Sequence, residues 1–106
     1  MLFELREYRI KPGQSSKWIK YMEEEIIPFQ ISKGMVVFGS FTGKYDDNLY
    51  VWIRRFENEN ERTQQYERVY EDEYWKTNIE PNIPEMLDIE NAVITQLIAT
   101  KISLMR

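Results

Sequence analysis

Arg6, Arg54 and Arg55 stand in segments whose neighbours read as β-strands. A guanidinium aimed from a strand into an aromatic cleft can hold a carboxylate or enolate through two parallel hydrogen bonds. Arg6 shares strand parity with Tyr8, and Arg54 shares it with Trp52. A pocket lined by Tyr8, Phe38, Trp52, Arg54 and Trp75, with Arg6 and Arg54 as polar anchors, would be apolar with a fixed charge inside it. The alternative carries more weight on sequence alone. It pairs Arg6 and Arg54 with Glu4, Glu7 or a partner subunit's acids as structural ion pairs.

Other suggestive groupings read as structure. Asp46-Asp47-Asn48 could hold a hard cation, but Asp and Asn bond their own backbone in hairpin turns, and no calcium-loop spacing follows. Glu23-Glu24-Glu25 could supply paired acids, but consecutive helical residues point in different directions. Trp18 and Trp75 could stack on a ligand, whereas lone tryptophans on amphipathic stripes are usually core. Phosphate loops and nucleophile elbows are absent.

Missing residue types narrow the chemistry further. The chain has no cysteine and no histidine. Thiol catalysis, disulfides and zinc–thiolate sites are therefore excluded, and so are the commonest general base and haem ligand. Catalysis would fall to Asp, Glu, Lys, Tyr, Ser or Thr, or to positioning alone. No catalytic residue is assigned, and neither cofactor nor metal is expected. A net charge of −4 argues against a nucleic-acid partner. Residues 57–90 hold eleven acids against three bases. A solvated helix face explains that run better than a docking site for a basic partner. Met1-Leu2-Phe3 runs directly into Glu4 and Arg6 with no apolar leader, and the longest apolar runs are too short to span a bilayer. A cytoplasmic protein is expected.

The elements that must position these side chains follow from periodicity. At 106 residues, 42% hydrophobic and 14% aromatic, the chain is long enough for one domain, 1–106, with a real core. Leu2 to Ile10 reads as a strand ended by Lys11-Pro12-Gly13. Ser15 or Ser16 should cap a helix whose stripe is Trp18, Met22, Ile26 and Phe29. Pro28 should end or kink it near Ile27, before the stop at Lys33-Gly34. Met35 to Thr42 and Asn48 to Phe56 read as a hairpin. Asn58 or Asn60 should cap a second helix carrying Tyr66, Val69, Tyr70 and Glu73. Pro81 and Pro84 break the chain before a last strand, Ala92 to Ile102.

The order β-α-β-β-α-β predicts a ferredoxin-like α+β fold, a four-stranded antiparallel sheet with helices on one face. Two helices cover only one face, yet the strands carry bulk on both parities. Val36, Val37, Phe38 and Phe41 do so in one strand, and Leu49, Val51 and Ile53 oppose Tyr50, Trp52 and Phe56 in the next. The second face needs a partner, and a two-fold homodimer packed sheet to sheet is the economical answer.

The opening Phe3-Glu4-Leu5-Arg6-Glu7-Tyr8 with Lys11-Pro12-Gly13 resembles the start of NIPSNAP domains. The resemblance continues through Gly39-Ser40-Phe41, Tyr50-Val51-Trp52-Ile53-Arg54-Arg55-Phe56-Glu57 with Glu61-Arg62, and Glu73-Tyr74-Trp75. It implies the dimeric α/β barrel shared with cofactor-free quinol monooxygenases and haem-degrading enzymes. It implies no settled reaction. Many such domains carry a histidine in the third strand before a Leu-Trp pair. Trp52 stands at that histidine's position and Arg54 at that tryptophan's, so the histidine's role is lost here.

Three functions are consistent with these residues. The first is a homodimeric barrel that binds a small apolar or aromatic ligand without a committed catalyst. The second is a cofactor-independent monooxygenase acting on a phenolic or quinol substrate, resting on fold analogy. The third is a protein-interaction module using the acidic 57–90 segment. The first is preferred.

Overall fold

The computed structural model describes residues 1–105. Strand β1 (Leu2–Ile10) leads into a helical rod made of α1 (Ser15–Tyr21), a π-helical turn (Met22–Ile26) and α2 (Ile27–Ser32). Strands β2 (Val36–Thr42) and β3 (Leu49–Phe56) form the hairpin. Helix α3 (Glu59–Tyr70), a second π turn (Trp75–Ile79) and a 3-10 turn (Glu80–Asn82) lead to β4 (Leu87–Ile98). The sheet order is β2-β3-β1-β4, with every neighbouring pair antiparallel. This is the ferredoxin-like arrangement, with the helices on one face.

Strand alternation sorts residues onto the two faces. Glu4, Tyr8 and Ile10 of β1, and Tyr50, Trp52, Arg54 and Phe56 of β3, turn toward the helices and are buried. They close a core with Trp18, Met22, Ile26, Val69, Trp75, Ile79, Met86 and Leu87. The opposite face carries Leu5, Val51 and Ile53, with Val36, Phe38, Phe41, Val93 and Leu97 exposed on it.

Five local readings change. Pro28 does not end the helix. It falls in the first turn of α2, directly after the π turn, so the helical rod changes geometry next to the residue that lacks an N–H. Ser15 and Ser16 do not cap α1, since Gln14 occupies that position without a side-chain bond. The buried stripe continues from Ile26 to Gln30 rather than to Phe29, because a π turn advances more than four residues. The last strand runs from Leu87 rather than Ala92 and stops at Ile98 rather than Ile102. Its register on β1 jumps between Glu7 and Arg9, so residues 89–92 bulge out of the ladder. Helix α3 ends at Tyr70, before Glu73. Asn58 caps it as expected, its Oδ1 accepting the Glu61 backbone N–H at 2.9 Å. Gly34 adopts φ +99° after α2, a left-handed stop that favours glycine.

Candidate functional site

A cavity of about 610 Å³ lies between the helices and the sheet. Tyr8 and Trp52 form its floor, Trp18, Met22 and Ile26 come from the first helical rod, and Trp75 comes from the second π turn. Both π turns thus contribute to the wall, a frequent use of such turns. The bulged start of β4 adds Ile89, Ala92 and Ile94. Ile89 and Ile94 are half exposed and mark the open side.

The cavity floor borders on a buried polar cluster centred on Glu4. Arg6 Nε donates to Glu4 Oε1 at 2.8 Å, and Arg54 Nη2 donates to the same oxygen. Tyr66 donates its hydroxyl hydrogen to Glu4 Oε2. The remaining Arg6 nitrogens donate to the Tyr8 hydroxyl at 3.1 Å and the Tyr66 hydroxyl at 2.8 Å. Arg54 Nη1 donates to Gln30 Oε1 at 2.8 Å and to the Tyr70 hydroxyl at 2.7 Å. The Arg54 guanidinium also lies over the Trp52 ring, 4.6 Å from its centroid. Burial alone would raise the Glu4 carboxyl. The Arg54 and Arg6 charges and the Tyr66 bond outweigh it and hold Glu4 down to about 2. Burial also lifts the Tyr66 phenol against the opposing pull of Arg6, so Tyr66 stays a donor.

The structure places the sequence candidates unequally. Tyr8, Trp52 and Trp75 line the cavity together, and Arg6 reaches its wall. Arg54 is fully buried in the cluster and is not part of the wall. Phe38 is a correction. The pairing of β2 with β3 slips between Val37 and Gly39, and Phe38 lies on the open face against Phe3, ring centroids 5.6 Å apart. The ion pairing of Arg6 and Arg54 goes to Glu4; no ion pair to Glu7 joins it among the described residues. Gln30, Tyr66 and Tyr70 were not singled out as site residues. The signal for Gln30 was its place four residues after Ile26, and for Tyr66 and Tyr70 their i, i+4 spacing on one helix.

Elsewhere the charges are local. Glu59 pairs with Arg62, Glu71 with Lys76, and Asp72 with Lys33, so part of the acidic run is already matched. Asp46 accepts from Arg9 and from the Asn48 backbone, as a hairpin turn does. No cluster of potential metal ligands occurs among the described residues, and among them no helix is long and apolar enough to cross a membrane.

These features define a ferredoxin-like α+β domain with an aromatic cavity between sheet and helices. The chain belongs to the NIPSNAP family, whose model matches residues 3–103. A solved NIPSNAP family protein with unknown function from Agrobacterium tumefaciens is 25% identical, with 100% of this chain and 94% of that one covered at a TM-score of 0.88. An uncharacterized NIPSNAP domain protein from Burkholderia xenovorans is 23% identical, with 97% and 98% covered at a TM-score of 0.86. A solved antibiotic biosynthesis monooxygenase shares the fold at 14% identity, with 94% and 99% covered and a TM-score of 0.69. No curated protein matches the chain.

Proposed function

We propose that this NIPSNAP domain is a cytoplasmic homodimer whose subunits each bind a small apolar or aromatic molecule in the cavity beneath the helices. The cavity carries this reading. Three tryptophans and three tyrosines line it, and a space of about 610 Å³ is within the ordinary range for small-molecule sites. The cluster below the floor acts as a rigid foundation. Its polar groups are largely spent on one another, so they hold Tyr8, Trp52 and Tyr66 in place. The dimer would cover the apolar face that the helices leave open, where Val36, Phe38, Phe41, Val93 and Leu97 are exposed. Titrating the protein with small aromatic compounds by calorimetry tests the cavity. Saturable one-to-one binding per subunit supports it, and the absence of binding across a panel of sizes counts against it.

A second reading rests on the shared fold of the antibiotic biosynthesis monooxygenase. A phenolic or quinol substrate in the same cavity would supply its own carbanion, with Arg6 and the tyrosines positioning it. Oxygen consumption with a quinol panel separates this from simple binding. Uptake no faster than in buffer leaves the binding protein.

A further inference from the structure

The apolar lining of the cavity conceals a one-sided polarity. Three wall residues, Trp18, Gln30 and Trp52, are at most 2% exposed. Each carries a nitrogen donor without an acceptor in the protein: Trp18 Nε1, Gln30 Nε2 and Trp52 Nε1. Arg54 Nε, whose guanidinium lies over Trp52, is a fourth. Among the described residues, the two buried acceptors left unpaired, Gln14 Oε1 and Gln65 Oε1, belong to residues outside the wall. Buried donors without acceptors are rare; these lie behind the lining, with no surface open to the cavity, and bias the surrounding field toward positive. Arg6 adds to the same side. It makes three donor contacts to Glu4, Tyr8 and Tyr66, which leaves part of its five-hydrogen fork uncommitted at the wall. Charge points the same way. Arg6 and Arg54 face the single carboxylate of Glu4, so the buried cluster holds one positive charge in excess. The one acidic wall residue, Glu80, lies on the exposed rim.

We propose that the ligand is a planar aromatic carboxylate, its anionic head turned to Arg6. The head supplies the negative charge that the Glu4–Arg6–Arg54 cluster lacks. The ring fills the space between Tyr8, Trp18, Trp52 and Trp75. This inference rests on the ligand-binding reading above and narrows it to one chemical class.

The test is calorimetric titration of the full chain with 2-naphthoate, methyl 2-naphthoate and 2-naphthylmethylammonium, which share a ring system and differ in the head. We expect 2-naphthoate to bind at least tenfold more tightly than the ester, with the ammonium compound weakest. Arg6→Met should erase that preference while leaving the ester's affinity unchanged. If Arg6→Met fails to fold, the ranking of the three compounds in the natural protein still decides. Equal binding of all three compounds would overturn the carboxylate head and leave the ligand cavity standing. No binding by any of them would overturn both.

Discussion

The two faces of one sheet are made from the same four strands and differ in what they ask of a partner. The helix-covered face mixes large aromatics with a buried Glu4–Arg6–Arg54 cluster and leaves a cavity. The open face carries aliphatic and phenyl groups, with Val36, Phe38, Phe41, Val93 and Leu97 exposed. Strand alternation produces most of this division, and the slip in β2 and the bulge in β4 shift its phase, so that Val36, Phe38 and Phe41 share the open face. The difference teaches that apolar bulk on a strand has two meanings. Where polar donors interrupt it, the surface is fitted to a small molecule. Where the polar groups, Glu7, Thr95 and Arg55, are scattered among exposed apolar side chains, the surface is proposed to be fitted to another surface.

The covered face should break most severely. Arg54→Met removes one member of a buried ion cluster and leaves Gln30 Oε1 and the Tyr70 hydroxyl without their donor. We expect a loss of about 3–5 kcal/mol, read by urea unfolding. Open-face substitutions of similar size should cost far less in the isolated subunit.

Glu4 gives that face a pH signature. Its carboxyl falls from an ordinary 4.5 to about 2 in the folded chain. The folded state therefore holds the proton less tightly than the unfolded state. The stabilisation is complete above pH 4.5 and is lost as pH falls toward 2. At about 1.4 kcal/mol for each pH unit, roughly 3 kcal/mol disappears across that window. Glu4→Gln should abolish this part of the slope. A mutant whose acid unfolding parallels that of the natural protein would place the acid sensitivity elsewhere.

The open face breaks by dissociation. Val51→Asp and Phe41→Asp put charge where the second subunit is proposed to pack, and should weaken the dimer at least tenfold in sedimentation while the far-ultraviolet spectrum stays native. Val37→Asp provides the contrast. Val37 lies opposite Arg54 and packs on the core, so it should unfold the subunit rather than split a pair. Asn58→Ala touches neither face. It removes only the cap on α3 and should cost about 1 kcal/mol.

Much of this division was legible in the residues. The shared parities grouped Arg6 with Tyr8 and Trp52 with Arg54, and Glu4 was among the partners expected for both arginines; the register of β1 on β3 is what brings both groups to one face. The order of elements followed from turn residues and periodicity. Other features lay beyond a pattern reading. Phe38 looked like a cavity residue because alternation was carried through β2 without interruption, whereas the ladder slips between Val37 and Gly39. Such a slip depends on cross-strand fit and leaves little local trace. The π turn at Met22–Ile26 likewise rotated the stripe so that Gln30, not Phe29, became buried. The cavity itself arises from the angle at which two helices and a bulged strand meet, which no single segment encodes.

The most direct test of the central claim, one sheet with a ligand face and a partner face, is native mass spectrometry of protein freshly purified from its host, followed by the same measurement under denaturing conditions. The account predicts a dimer that releases a small molecule from its subunits on denaturation, one per chain. A monomer of 12.9 kDa carrying nothing would contradict it on both faces.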